Sequence, residues 1–148
     1  MLKTGGLLLV LLSFTFFGFY KADLLNKRSR KLTEICMGLE RLSDLIRGGN
    51  TYLEEALKLS FSAKILYCEK GIPVLNKDYL LKEDSEPFEK LLNELGLSDR
   101  ETEEKRITLY KTILKKQQSV AEERAKALNK LYTSLGFLTG LSICIFLV

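Results

Sequence analysis

The sequence predicts an all-α protein, an antiparallel helical bundle whose two long helices continue into amino-terminal and carboxy-terminal membrane helices. Three observations predict this fold. Uncharged apolar stretches, 4–20 and 132–148, lie at the two ends of the 148-residue chain. In the charged segments beside them, apolar residues recur every seven positions, as on one face of a packed helix. No segment alternates apolar and polar residues convincingly, so we expect no sheet.

The apolar stretches divide the chain into an amino-terminal anchor (1–20), a helical domain (21–131) and a carboxy-terminal membrane helix (132–148). Each stretch has about 17 residues, the short end of what crosses a bilayer as a helix. The first stretch also fits the core of a signal peptide. However, the run Gly18-Phe19-Tyr20-Lys21 offers no small-x-small cleavage site, so we expect an uncleaved anchor.

Basic residues follow the first stretch and precede the second. They are Lys21, Lys27, Arg28, Arg30, Lys31, Arg124, Lys126 and Lys130. Because cytoplasmic flanks of membrane helices are enriched in Lys and Arg, the pattern predicts a helical domain in the cytoplasm. The run 27–31 would also suit anionic lipid headgroups, and this role is compatible with a topology signal.

Turn and cap signals divide the helical domain. The first helix carries Leu32, Leu39 and Ile46 at heptad spacing and is expected to end at Gly48-Gly49. A Thr51-x-x-Glu54 capping box predicts a second helix, which runs to about residue 66.

In the second half of the domain, Gly71-Ile72-Pro73 is expected to interrupt the helical structure. A short helix is predicted after it, over 76–84. Ser85-Glu86-Pro87 is expected to start another helix, with the proline in its first turn. A Ser98-x-x-Glu101 box then opens a long helix from about residue 99 into the apolar end.

The composition argues against catalysis, a cofactor or a metal site. The chain has no His, the usual proton shuttle at neutral pH and the commonest zinc ligand. Cys36, Cys68 and Cys144 have no metal-like or redox-like spacing, so we expect reduced packing residues. A net charge of +4, mixed with many acids, does not indicate nucleic-acid binding. A membrane enzyme is the least favoured hypothesis.

Two sets of residues are candidate sites. Gly136 and Gly140 form a GxxxG motif, which lets another helix approach closely in a membrane. The other helix would be the first anchor, where Gly18 is the candidate, a second copy or another protein. The alternative is that glycine is simply common in membrane helices.

The second set lies at the start of the last helix, at the end expected to be farthest from the membrane. It comprises Arg100, Glu101, Glu104 and Lys105. We predict that these residues bind a cytosolic partner; the alternative is a capped, solvated helix start.

The chain resembles the stage III sporulation protein AB family. The residues that carry the resemblance are the opening Met1-Leu2-Lys3 with its apolar run, Thr51-x-Leu53-x-Glu55-Ala56, Leu95-Gly96-x-Ser98-Asp99-Arg100-Glu101 and Leu135-Gly136-Phe137-Leu138-x-Gly140-Leu141. The likeness spans almost the whole chain, although the segment 65–94 looks shorter than is usual in the family.

The resemblance implies a non-catalytic platform subunit of a sporulation secretion-like channel between mother cell and forespore. The family's soluble part is similar to the helical domain of the type II secretion platform protein F. Such a protein would lie in the outer forespore membrane, with its domain in the mother-cell cytoplasm. There it would dock the cytosolic ATPase, stage III sporulation protein AA, and other channel subunits.

A rival hypothesis from the residues alone is a self-associating coiled-coil scaffold of the envelope, for division or membrane shaping. A parallel dimer through Leu32, Leu39 and Ile46 would favour the scaffold. A compact monomer that buries these side chains internally would favour the platform, which remains a possible homo-oligomer.

Overall fold

The computed structural model describes residues 2–49, 52–69 and 72–147. Along the chain the elements are α1 (Leu2–Gly48), α2 (Leu53–Ser60), β1 (Leu66–Glu69), β2 (Ile72–Leu75), α3 (Lys82–Glu94) and α4 (Arg100–Leu147). The fold is mostly helical, as predicted. The chain divides into two compact units, one made of 1–27 with 121–148 and the other of 28–120. We call them the terminal unit and the central unit.

The prediction that the chain has no sheet is wrong. β1 and β2 pair antiparallel, from Leu66 opposite Leu75 to Glu69 opposite Ile72. Only the pair Leu66 and Leu75 is buried, so the strands are too short and too exposed to show an alternating pattern. Pro73 is tolerated in β2 because a strand of a two-stranded sheet has a free edge.

The helix predicted over 76–84 does not form. Asn76 Oδ1 instead accepts a hydrogen bond from the Asp78 N–H at 2.9 Å, which holds a turn. Tyr79 in this turn has a φ of 64°, a left-handed conformation that interrupts a right-handed helix. Asp84 then accepts from the Leu81 N–H at 3.1 Å, and α3 begins at Lys82, earlier than predicted.

The ends of α2 and α4 also differ from the predicted caps. α2 ends at Ser60, and Thr51 of its predicted capping box lies outside the described residues. At α4, Asp99 rather than Ser98 accepts the cap hydrogen bonds, at 2.6 Å from Thr102 Oγ1 and 3.3 Å from its N–H. Glu103 rather than Glu101 reaches back to the preceding N–H groups.

The core of the central unit uses the predicted stripes. Leu32, Leu39 and Leu42 of α1 are fully buried, as are Ile107 and Leu114 of α4, whereas Ile46 is only half-buried. Phe61, the residue that follows α2, packs on Phe88 of α3, with ring centroids 5.2 Å apart in an edge-to-face arrangement. A Cβ at Gly38 would lie 2.3 Å from the Phe61 ring, so only glycine leaves room for it.

Among the residues that the structure describes, no helix has a stretch both long enough and apolar enough for a membrane crossing. The two membrane helices therefore remain predictions.

Candidate helix-packing and partner-binding sites

The terminal unit contains a close approach between the backbones of α1 and α4. A Cβ on Gly18 would lie 2.6 Å from the Tyr132 carbonyl oxygen and 3.4 Å from the Gly136 Cα. A Cβ on Gly136 would lie 2.8 Å from the Phe14 carbonyl oxygen. Since side chains larger than hydrogen do not fit, the crossing depends on glycine at both positions. Gly140 is also buried, one turn further along α4.

Burial in the terminal unit is the reverse of burial in a soluble bundle. The buried positions are small, such as Gly18, Ala22 and Gly140. Many of the large apolar side chains that the structure describes here face outward, and Phe16 is 77% exposed. The other large exposed residues are Leu9, Leu12, Phe14, Phe17, Phe19, Tyr20, Leu131, Leu135, Phe137, Leu138 and Ile145. Large apolar side chains exposed in such number mark a site of contact with protein or lipid.

Hydroxyl groups in the same segments are satisfied by their own helix. Ser13 Oγ donates to the Leu9 carbonyl at 2.9 Å, and Thr139 Oγ1 donates to the Leu135 carbonyl at 2.7 Å. Ser142 Oγ similarly donates to the carbonyl four residues earlier, at 2.9 Å. Such bonds let hydroxyl side chains face an apolar environment without an unpaired polar group.

The four predicted partner-binding residues lie at the start of α4. Glu104 accepts hydrogen bonds from Arg47 at the end of α1, at 2.8 Å from Nε. Lys105 Nζ lies 2.6 Å from Glu101 Oε1, one turn away on the same helix. Arg100 lies with its guanidinium against Gly49, which has a φ of 72°. The structure thus joins two of these side chains, Arg100 and Glu104, to the carboxy-terminal end of α1, whereas Glu101 and Lys105 pair with each other.

At the start of α4 and the end of α1, the pKa shifts arise from hydrogen bonds between neighbouring side chains. The hydrogen bond to Glu104 raises the pKa of Arg47. The hydrogen bonds from Thr102 lower the pKa of Asp99, so the cap stays ionised in mild acid. Because Arg47, Glu101 and Lys105 are exposed, their ion pairs contribute little to stability and stay available for exchange with a partner's charges.

Sequence reasoning missed two exposed apolar residues near the charged start of α4. Tyr52 is 86% exposed and Leu97 is 77% exposed. Their sequence neighbours touch, since a Cβ on Gly96 would lie 3.0 Å from Leu53 Cδ2. The sequence signal for this pair is an apolar residue in the loop just before each helix, at a position where no neighbouring loop residue explains an apolar side chain.

Half of the basic run 27–31 is used inside the central unit. Arg28 donates two hydrogen bonds to the fully buried Asp84, at 2.8 and 2.9 Å. Lys31 Nζ donates to Asn76 Oδ1 at 3.2 Å and to the Asp78 carbonyl at 2.8 Å. Burial lowers the pKa of Lys31, and Asp78 opposes that shift.

The cysteines differ in their surroundings. Cys36 is buried, and burial, assisted by Glu40, raises the pKa of its thiol to about 11. Cys68 is exposed, and the side chain of Cys144 lies outside the described residues. No cluster of three or more His, Cys, Asp or Glu side chains occurs within the described segments.

Comparison with known proteins identifies the family. The model of a family described as stage III sporulation protein AB matches residues 3–64 and 69–148, with a gap at the start of the β hairpin. Stage III sporulation protein AB of Bacillus subtilis (strain 168) is 27% identical over 171 aligned positions, which cover the whole of both chains. No solved structure matches. The chain therefore belongs to the stage III sporulation protein AB family.

Proposed function

We propose that this protein is a non-catalytic membrane platform subunit of a sporulation secretion-like channel between mother cell and forespore. Membership of the stage III sporulation protein AB family supports the sporulation role. The single observation that carries the platform role is the reversed burial of the terminal unit. There α1 and α4 approach most closely at glycine residues, while Phe and Leu side chains such as Phe16 and Leu138 face outward.

The physical argument concerns the solvent of the terminal unit. In water, burying a Phe or Leu side chain contributes roughly 1.5–3 kcal/mol, so a soluble helix pair would turn these residues inward. In lipid that driving force is absent, and close backbone packing through small residues holds helices together instead. The crossing at Gly18 and Gly136 fits the second case, and so it supports two packed membrane helices.

The location follows from the same proposal. Basic residues flank both apolar stretches on the side of the central unit, for example Lys21 and Lys130. The positive-inside rule then puts the central unit in the cytoplasm. For a protein that acts in sporulation, the proposed membrane is the outer forespore membrane. The central unit then lies in the mother-cell cytoplasm.

The proposed docking surface consists of Arg100, Glu101, Glu104 and Lys105 together with Tyr52 and Leu97. Exposed aromatic and aliphatic anchors within a charged rim are the usual anatomy of a protein interface. Its proposed partner is the cytosolic ATPase, stage III sporulation protein AA. Other channel subunits would bind elsewhere on the protein.

The rival scaffold hypothesis needs an apolar seam that is free to pair. Leu32 and Leu39 are fully buried within one chain, so they are not available to a second copy. This observation favours the platform over a coiled-coil scaffold built on that seam. A homo-oligomer formed through the outward apolar surface of the terminal unit remains compatible with the platform role.

Deleting the gene in the source bacterium tests the function. We expect normal vegetative growth, loss of heat-resistant spores, and arrest after engulfment with undersized forespores under a membrane dye. Normal sporulation, or a defect in growth and division, would contradict the proposal.

The docking surface has its own test. The variants Arg100→Glu and Leu97→Ser are expected to reduce co-purification of the ATPase from detergent extracts. Lys90→Glu is the matched control because Lys90 is an exposed residue of α3 outside the proposed surface. Equal ATPase recovery with all three variants would show that the contact lies elsewhere.

A further inference from the structure

The terminal unit contains a polar groove between α1 and α4, next to the apolar stretches. Its volume is about 600 Å³. α1 contributes Phe19, Ala22, Asp23 and Asn26, and α4 contributes Lys126, Asn129, Lys130 and Thr133. Both sets follow the spacing i, i+3, i+4, i+7, so each helix presents one face to the groove. The groove begins where the uncharged segments end.

Several hydrogen-bond donors in the groove are not used by the protein. Within the described parts of the chain, Lys130 has no carboxylate within ion-pair distance, and the carboxamides of Asn26 and Asn129 make no hydrogen bond. Lys126 lies 3.5 Å from the exposed Glu122, a weak pair. The one acid that lines the groove, Asp23, is already paired with Lys27 at 2.7 Å. The groove therefore offers cationic and amide donors to an anion.

We propose that this groove binds the phosphate headgroup of an anionic phospholipid. The inference rests on the proposed membrane attachment of the terminal unit. Ammonium and amide groups are donors suited to phosphate oxygens, and basic pockets between membrane helices at the cytoplasmic face bind acidic lipid headgroups.

The apolar surroundings select a lipid over a free phosphate ion. Phe19 lines the groove and is 58% exposed. Phe16, one turn earlier on α1, belongs to a second, apolar groove of about 470 Å³ with Leu9, Leu12, Phe17 and Tyr20. An acyl chain can lie along this surface while its phosphate occupies the polar groove. A soluble anion would gain nothing from it.

The assignment differs from the lipid contact that the basic run 27–31 suggested. In that run Arg28 is held by Asp84, and Lys31 is held by the turn at 76–78. The groove instead uses Lys126 and Lys130, four residues apart on α4. The tertiary structure thus separates lysines and arginines that hold distant segments together from groove lysines that form no ion pair with another helix.

Native mass spectrometry of the full-length chain in detergent tests the inference. The protein is titrated separately with phosphatidylglycerol, phosphatidylcholine and inorganic phosphate. We expect tighter binding of phosphatidylglycerol than of the other two. The double variant Lys126→Gln/Lys130→Gln should weaken phosphatidylglycerol binding by about fivefold per lysine, or about 25-fold in total. The matched control is Lys115→Gln/Lys116→Gln, the same charge change at exposed positions of α4 outside the groove, and it should bind as the wild type does.

Each contrary outcome has a distinct meaning. Equal affinity of the wild type for the two lipids, or equal losses in both double variants, would overturn the headgroup site. Phosphate that binds as tightly as the lipid would identify a soluble-anion site and would also overturn it. Flotation with pure phosphatidylcholine vesicles separates this inference from the proposed function. Protein that floats but shows no preference for phosphatidylglycerol refutes the groove alone, whereas protein that does not float refutes the membrane attachment.

Discussion

Gln117 supplies the hydrogen bond that Pro87 removes from α3. Proline has no N–H, so the carbonyl of Glu83, four residues earlier, has no donor within its own helix. The Gln117 side chain of α4 reaches this oxygen, with Nε2 at 2.6 Å. Gln117 is a polar residue three positions after the buried Leu114 of α4. The structure gives this polar residue a purpose, because an apolar side chain at position 117 would leave the carbonyl without a donor from the protein.

A double-mutant cycle measures this compensation. Gln117→Met keeps the length of the side chain and removes its donor, and we expect a loss of about 1 kcal/mol in the free energy of unfolding. In the Pro87→Ala background, the restored N–H can bond the Glu83 carbonyl. The cost of Gln117→Met should therefore fall, with a coupling energy of about 0.5–1 kcal/mol. Urea unfolding of the full chain in detergent, followed by circular dichroism, gives all four free energies.

The neighbouring Gln118 is the matched control for this cycle. It donates to Thr33 Oγ1 of α1 at 3.0 Å, a bond that does not involve α3. Gln118→Met should cost the same with or without Pro87. If Gln117→Met also costs the same in both backgrounds, the hydrogen bond to Glu83 is not compensating for the proline, and the reasoning is refuted.

Two further predictions concern the glycine crossing and the buried thiol. Gly136→Leu should lower the thermal unfolding temperature of the protein in detergent, because even a Cβ at Gly136 would lie 2.8 Å from a backbone oxygen of α1. Gly6→Leu should not lower it, since nothing lies within 4 Å of that position, and equal effects would argue against the crossing. In the folded protein at neutral pH, iodoacetamide should modify the exposed Cys68 and spare Cys36, as read by peptide mass spectrometry. Because the pKa of Cys36 rises from 9.0 to about 11 on folding, the neutral thiol stabilises the fold fully below pH 9, and this contribution is lost as the pH rises towards 11. Equal labelling of the two cysteines in the folded state would contradict the burial.

The sequence pattern correctly predicts features that depend on residues close together in the chain. The heptad positions Leu32 and Leu39 are buried as expected, and Gly49 follows the end of α1 with a positive φ. The pattern does not predict features that depend on contacts between residues far apart in the sequence. α3 begins at Lys82 because Asp84 both caps it and binds Arg28, more than fifty positions away. A local pattern can only assign such an arginine to the membrane flank.

The hairpin and the exposed loop residues escape prediction for a related reason. Strands with one buried pair carry no repeating signal, so 66–75 resembles a loop. Tyr52 and Leu97 are each unremarkable in sequence, and they become a candidate anchor only because Leu53 packs against Gly96. Sites of this kind depend on which segments meet, which a single sequence does not record.

The two long helices carry opposite burial patterns along their lengths. In the central unit, α1 and α4 bury Leu32 and Leu114 and expose their charges. In the terminal unit they bury Gly18 and Gly140 and expose large apolar side chains such as Phe16 and Phe137. No single solvent rewards both patterns, since water favours the first and lipid favours the second. The change in burial along each helix is thus the physical argument behind the proposed membrane attachment.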